Sequence, residues 1–376
     1  PSRRLELNRK THRKMKRIAI LSVGVLMAVM GVRAQKPAEV LAVAQRTNNY
    51  FMAKYSDPTV PTFVKKMRTS NLWTRALHEI DADKRYLDYT DRWADFHKWT
   101  ARNSIQTTNA DDQCCEQTYI DRSVMAGRAE WMAPTKVNLD HQMGLGKYDD
   151  WWWIDAIQMA MPIYAKYYKT TGERRYIDFA MRSYRCTRDT LAGGLFNKLW
   201  WRDKNYKAPY KEPDGKNCYW SRGNGWVYGA LVRVMQNLSP KDRYYKELKA
   251  DFVKMSEALL KVQRPDGFWN ASLVSTNYEG PEVTGTSLFL YGMSWGINHG
   301  VLNAKKYRAA CDSAWKAMAG SVHADGFLGW NQGTGADPST GQPVTYTSVP
   351  DFEDYGTGCF LLGAAEYYRL LGAVRP

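Results

Sequence analysis

The feature that most constrains the fold of this chain is a weak internal repeat set in a helical sequence. Each unit combines a glycine-bearing turn, an aromatic loop and a glycine-led helical pattern, and the three units begin at residues 193, 266 and 325. Their spacing of roughly 60–70 residues predicts about six helix pairs. The repeat therefore predicts a closed or stacked all-α array, whose long loops gather at one end and carry the functional site.

Apolar side chains recur with the 3.6-residue period of a helix, and the alternating runs typical of strands are scarce. Glycine and proline clusters separate the helical runs, and no linker of different composition divides the chain. Residues 35–376 are therefore predicted to form a single domain. The predicted helices cover residues 45–54, 85–100, 113–122, 154–170, 175–189, 227–237, 244–263, 287–299, 307–319 and 360–371.

The first 34 residues have the pattern of upstream sequence followed by an export signal. A basic start at residues 15–17 precedes an apolar run at 18–32, and small residues at 32–34 resemble a cleavage site before Gln35. The apolar run is too short to favour a transmembrane helix. We expect the mature chain to be exported, periplasmic or secreted, with no stable membrane insertion after cleavage.

The basic excess of the chain is concentrated in that N-terminal region. The whole sequence has a net charge of +15, and residues 1–34 contain nine basic residues and one acidic residue, which leaves +7 for residues 35–376. This modest surplus suits an anionic substrate. The sequence has no arginine-rich run or nucleic-acid-binding motif, so a nucleic-acid partner is not expected.

An unusual aromatic cluster stands at residues 149–159, DDWWWIDAIQM. Three adjacent indoles on a helix point in three directions, so at most two are buried in the core and the third faces a groove or solvent. Sugar rings have apolar faces that stack on indoles, and a desolvated Asp155 could serve as an acid of raised pKa. The alternative is an acidic cap on a tryptophan-rich core helix. We assign Trp153 to a wall beside the acid, and Trp151 and Trp152 to the core.

A second cluster lies at residues 220–226, WSRGNGW. Arg222 offers a planar fork suited to a carboxylate, and Trp220 and Trp226 could form stacking walls. The glycines on either side of Asn224 would allow close approach of the backbone to a ligand. The alternative is a cap between two barrel helices, with Arg222 on the surface.

A third candidate is the acidic pair Asp111 and Asp112. These residues could cap the following helix or supply the second carboxylate of a glycosidase site, and the sequence does not choose between them. The sequence contains no nucleophile elbow and no phosphate-binding loop. The cysteines and histidines lack the spacing of a metal site, so no metal is expected.

Together these motifs resemble those of the unsaturated rhamnogalacturonyl hydrolases, glycoside hydrolase family 105. The match rests on residues 149–162, 220–226 and 284–287, and it extends from about Trp73 to Leu371. The resemblance implies an (α/α)6 barrel, in agreement with the repeat. It also implies an enzyme that removes a terminal 4,5-unsaturated uronic acid from oligosaccharides made by polysaccharide lyases.

The resemblance further implies residue roles. Asp155 would be the general acid and base, protonating C4 of the enol ether before water adds at C5, and Asp111 or Asp112 would be the second site aspartate. Arg222 is expected to bind the uronate carboxylate, and no cofactor is needed. The expected substrate-binding residues are Trp153, Gln158, Trp220, Arg222, Asn224 and Trp226. Many relatives carry a histidine near the position of residues 199–203, and this chain has none there.

The predicted function is therefore release of unsaturated galacturonic acid from rhamnogalacturonan-derived oligosaccharides. Two alternatives remain open: an unsaturated β-glucuronyl hydrolase acting on other lyase products, and a non-catalytic toroid that binds acidic oligosaccharides. The sequence makes no prediction of the oligomeric state.

Overall fold

A computed structural model describes residues 35–59, 72–193, 198–278, 280–351 and 354–372, without the side chains of residues 72–76. The chain divides into two compact units, Pro1–Lys36 and Pro37–Pro376, and the elements below all belong to the second. The predicted export signal lies outside the described residues. Within the described part of the chain, no helix is both long and apolar enough to cross a membrane.

Twelve helices of ten or more residues alternate between an inner and an outer position in the described ranges. The inner helices, numbered in chain order with the outer ones, are α2 (Leu72–Asp81), α5 (Glu116–Ala126), α7 (Asp155–Thr171), α9 (Ser221–Met235), α11 (Val283–Asn298) and α13 (Asp354–Leu370). The outer helices are α1 (Pro37–Lys54), α3 (Lys84–Phe96), α6 (Ala133–Gly144), α8 (Arg174–Leu191), α10 (Arg243–Lys261) and α12 (Ala304–Gly320). A short α4 (Ala110–Gln113) precedes α5, and strands β1 (Trp269–Asn270) and β2 (Pro281–Glu282) pair antiparallel before α11.

The inner helices form a closed ring. Each contacts the next along the chain, and the last, α13, contacts the first, α2. The outer helix α1 also packs against α13, so the first and last helices of the described residues meet. The predicted (α/α)6 barrel is confirmed.

The two rings differ in how their helices are buried. Every residue of α9 is buried, as are residues 283–296 of α11. In contrast, α8 buries half of its residues and α10 about a third. A helix that is buried all round belongs to the interior, and an amphipathic helix covers it. The 3.6-residue apolar period is therefore clearest in the sequences of the outer helices.

Glycines allow the inner helices to approach closely. A Cβ on Gly285 of α11 would lie 2.1 Å from Oγ of Ser221 on α9, and a Cβ on Gly225 would lie 2.9 Å from Cδ1 of Leu288. The expectation that the glycines of residues 220–226 bring the backbone close to a ligand is therefore corrected: they serve contact between helices. Glycines in the first turns of α9, α11 and α13 resemble glycines of loops, so the predicted starts of these helices fall four to six residues too late.

The sequence repeat has a structural counterpart in two turns. Gly267 and Gly326 both have positive φ, 93° and 102°. A Cβ at these positions would lie 2.2 Å from the carbonyl oxygen of Ser313 in α12 and 2.4 Å from that of Arg46 in α1. Two repeat units thus place the same glycine turn against an outer helix, where a side chain has no room.

Candidate active site

A pocket opens at one mouth of the barrel, where α4, α7, α9 and α13 begin. Tryptophan, arginine and aspartate side chains dominate its wall. The lining residues are Asp111, Trp153, Asp155, Met159, Arg202, Trp220, Arg222, Trp226, Thr334, Gly335 and Tyr355. Five predicted site positions from two distant motifs, with one aspartate of the third, therefore meet in one place.

Asp155 is the first residue of α7, and its side chain is almost fully buried. Two effects oppose each other there, because free N–H groups at a helix start favour a carboxylate while burial favours the neutral acid. Burial is the larger effect and raises the pKa of Asp155 to about 6, with Asp111 raising it further and Arg202 and Arg222 lowering it. Asp155 is thus an acid that exchanges its proton near neutral pH, as general acid–base chemistry requires.

Arg202 is the nearest cation to this acid, and the sequence analysis did not identify it. Its Nε lies 3.4 Å from Oδ2 of Asp155 without the alignment of a hydrogen bond, and both buried atoms lack a hydrogen-bond partner among the described residues. Its Nη1 donates to Oδ2 of Asp203 at 2.6 Å. The carbonyl of Arg202 accepts the N–H of Ile154, which fixes this loop against the start of α7. The only sequence signal for Arg202 was its position in the tryptophan-rich stretch 199–203.

Arg222 lies on the other side of the pocket and is 3% exposed, so the alternative that placed it on the surface is wrong. Its two terminal nitrogens donate to the carbonyls of Gln332 and Gly333 at 2.8 and 2.7 Å. The guanidinium lies 4.6 Å from the ring of Trp220 and 4.8 Å from that of Tyr355. Two of its five N–H groups hold the loop that contributes Thr334 and Gly335, and the others remain for a ligand.

The acidic pair separates into two roles. Asp111 lines the pocket. Asp112 does not line it: this side chain accepts hydrogen bonds from Arg102 at 2.6 Å, Asn103 at 3.0 Å and Thr107 at 3.2 Å. The expectation that Asp112 could act at the site is therefore corrected, because its oxygens are already engaged in holding the preceding loop.

Two predicted substrate-binding residues lie outside the pocket wall. The Asn224 amide accepts from the N–H of Trp200 and donates to the carbonyls of Trp200 and Trp220, so it joins two segments of backbone. Gln158 is fully buried, and neither amide atom has a hydrogen-bond partner in the described part of the chain. Met159 lines the pocket instead, because a residue four positions after Asp155 lies closer to its face of the helix than one three positions after.

The three adjacent indoles confirm the expectation that at most two are buried, but the assignment of Trp152 to the core is wrong. Trp151 and Trp153 are 1% and 5% exposed, whereas Trp152 is 56% exposed. The helix begins only at Asp155. The three indoles therefore lie before the helix, where Trp152 is turned to solvent between two buried neighbours.

Across the described residues, no group of three or more histidine, cysteine, aspartate and glutamate side chains is arranged to hold a metal ion. None of the six cysteines forms a disulfide bond, and five of them are buried. The pocket therefore offers one buried acid, a second carboxylate, two arginines and aromatic walls. This combination suits proton transfer to an acidic sugar.

Comparison with known proteins extends this description. Residues 43–371 match the sequence family described as Glycosyl Hydrolase Family 88. The chain is similar to an unsaturated 3S-rhamnoglycuronyl hydrolase from Formosa agariphila, with 31% identity over 315 residues that cover 78% of this chain and 81% of the relative.

Two solved structures are similar to this chain. A glycosyl hydrolase family 88 protein from Bacteroides vulgatus has a TM-score of 0.82 and 30% identity, covering 89% of this chain and 100% of that one. An unsaturated glucuronyl hydrolase from Streptococcus agalactiae shares the fold, with a TM-score of 0.66 and 14% identity over 90% of this chain and 94% of that one.

Proposed function

This chain belongs to glycosyl hydrolase family 88 and is a glycoside hydrolase, and we propose that it removes a terminal 4,5-unsaturated uronic acid from an oligosaccharide by hydrating the double bond. The observation that carries this proposal is the buried Asp155 carboxyl, whose pKa is raised to about 6. Protonation of carbon requires an un-ionised acid near the working pH. Relatives named for unsaturated uronides support the same reaction.

In this mechanism the O–H bond of neutral Asp155 breaks as a C–H bond forms at C4. Positive charge then develops at C5 and the ring oxygen, where the nearby carboxylate of Asp111 stabilises it. The Asp155 carboxylate takes a proton from water as the water oxygen bonds to C5, so the acid is regenerated. The resulting hemiketal opens as the bond between C5 and the ring oxygen breaks, which gives a ketone at C5 and a hydroxyl group at C1. The hemiacetal at C1 then collapses to an aldehyde as its bond to the glycosidic oxygen breaks, and the next sugar leaves with a free hydroxyl group.

The two arginines divide the remaining tasks. Arg222 has N–H groups left after holding its loop, and we assign it to the uronate carboxylate. Arg202 places positive charge 3.4 Å from Asp155. That charge lowers the pKa of Asp155 against the effect of burial and keeps it near neutrality. The tryptophan walls surround the acid with apolar surface and offer apolar faces to the sugar ring.

The choice between a galacturonyl and a glucuronyl substrate has a chemical answer. These two uronic acids differ only in configuration at C4, and the 4,5 double bond removes that difference. Both alternatives therefore supply the same unsaturated ring, and specificity rests on the configuration of its linkage at C1 and on the next sugar. We propose rhamnose at that position, as in rhamnogalacturonan fragments and in the name of the Formosa relative. Because residues 15–34 resemble an export signal, we propose that the enzyme is exported.

The test is incubation of the protein with lyase-generated unsaturated disaccharides while the absorbance of the double bond is followed. We expect the absorbance to fall with a rhamnose-linked unsaturated uronide. No fall with products of rhamnogalacturonan, glucuronan and glycosaminoglycans would reject the proposal. Tight binding of saturated uronides without any turnover would instead support the non-catalytic toroid.

A further inference from the structure

A second depression adjoins the pocket, and the mechanism above makes no use of it. Polar side chains and two indoles surround it: Thr108, Asn109, Lys147, Asp149, Asp150, Trp152 and Trp153. Trp153 lines both spaces. The depression, here called the outer subsite, therefore lies beside the pocket that holds Asp155.

Trp152 forms the apolar surface of the outer subsite. It is 56% exposed and is the only tryptophan among the exposed large apolar side chains of the described residues. Its ring lies 4.8 Å from that of Trp153, and the Arg202 guanidinium lies 5.5 Å from it. These contacts lie on the inner side of the indole, and more than half of the side chain stays exposed. An exposed indole beside a sugar-binding pocket is suited to stacking on a second ring.

The charges of the outer subsite differ from those of the pocket. In the outer subsite Asp149 and Asp150 outnumber Lys147, whereas in the pocket two arginines balance two aspartates. One oxygen of Asp150 accepts a hydrogen bond from Gln142 at 3.0 Å. The remaining carboxylate oxygens can accept hydrogen bonds from sugar hydroxyls. Like charges repel, so the excess of carboxylates disfavours a second acidic group there.

We propose that the outer subsite binds the sugar attached to the unsaturated uronate, as an uncharged, hydroxyl-bearing ring stacked on Trp152. This proposal rests on the proposed function in one respect, that the uronate occupies the pocket beside Asp155. It adds that Trp152, Asp149 and Asp150 select the leaving sugar.

The test measures binding in the Asp155→Asn variant, so that substrate is not consumed. Calorimetry compares an unsaturated uronyl-rhamnose disaccharide with the methyl glycoside of the same uronate. Adding Trp152→Ala is expected to weaken disaccharide binding by about tenfold, the upper range of an aromatic contact. The loss for the methyl glycoside is expected to be several-fold smaller, because it has no second ring. Trp152→Phe should fall between Trp152→Ala and the unchanged residue.

Phe96→Ala is the matched control, because Phe96 is also an exposed aromatic (47%) and lines neither space. It is expected to leave both affinities unchanged. Equal affinities in the Trp152→Ala and Phe96→Ala variants would overturn the subsite, as would equal losses for the two ligands.

A charge comparison tests the preference for an uncharged ring. The disaccharide whose rhamnose carries a 3-sulfate is expected to bind at least several-fold more weakly than the unsulfated one, and Asp149→Asn should narrow the difference. Tighter binding of the sulfated compound, lost in Lys147→Met, would overturn the preference. Trp152-dependent binding without turnover by the wild type would reject the proposed function alone, and turnover without Trp152 dependence would reject the subsite alone.

Discussion

Both mouths of the barrel contain buried ionisable side chains, but these side chains differ in how closely they are paired. At the mouth where the inner helices begin, Oδ2 of Asp155 has no hydrogen-bond partner among the described residues. At the opposite mouth, where the helices end, Lys166 forms a buried ion pair with Asp121. There Arg369 also pairs with Glu366 at 2.9 Å and with Glu79.

The difference shows what makes a buried carboxylate reactive. Burial penalises the charged form of any acid, and a close cation with aligned hydrogen bonds offsets that penalty. The Asp121 carboxylate has such a partner, so its charge contributes to structure. Asp155 has Arg202 nearby but not aligned with it, so it keeps a proton that it can give away. The following changes test this contrast, beginning with the largest expected effect.

Removal of the acid is expected to abolish most of the activity. Asp155→Asn keeps the size of the side chain but has no proton to donate to C4, so kcat should fall by at least ~10²-fold. The measurement is loss of double-bond absorbance for the unsaturated disaccharide. Asp112→Asn is the matched control from the acidic pair. This variant is expected to lower the melting temperature and to change kcat far less than Asp155→Asn does. Retained activity in Asp155→Asn would assign the acid role elsewhere.

Breaking a charge pair at the opposite mouth should affect stability. Lys166→Met removes the ammonium group that pairs with the buried Asp121 carboxylate, which is expected to lower the free energy of unfolding by about 3–5 kcal/mol. Lys136→Met is the control, because the Lys136–Asp140 pair is exposed and worth about 1 kcal/mol or less. Denaturant unfolding measures both. If both variants lost the same free energy of unfolding, the buried pair would contribute no more than the exposed pair, and the contrast would be wrong.

The same Asp155→Asn change should stabilise the protein at neutral pH. The pKa of Asp155 is raised from 3.8 to about 6 by folding, so the native state disfavours the ionised form. This cost is absent below pH 3.8, grows as the pH rises towards 6, and reaches on the order of 3 kcal/mol above it. Asparagine never ionises. The variant should therefore melt higher than the wild type at pH 7.5, and the two should converge near pH 4; an unchanged difference across this range would contradict the raised pKa.

Some parts of the molecule could be predicted from the sequence, and others could not. The repeat and the apolar stripes of outer helices such as α10 predicted about six helix pairs in a closed or stacked array, and the family resemblance implied the (α/α)6 barrel. The starts of α9 and α11 were misplaced because glycines that serve helix contact resemble glycines of loops. The position of Asp155 was predicted from its aromatic surroundings. Arg202 was missed because its proximity to that acid depends on a loop crossing the start of α7.

The smallest expected effects are shifts of the pH profile, and they should have opposite signs. Activity requires protonated Asp155, so kcat/KM should fall as the pH rises through about 6. Asp111 raises the pKa of Asp155 and Arg202 lowers it. Asp111→Asn should therefore move the falling limb to lower pH, and Arg202→Gln should move it to higher pH, whatever their effects on the maximal rate. Shifts in the same direction would show that the two side chains act through the shape of the pocket, and not through their charges on the acid.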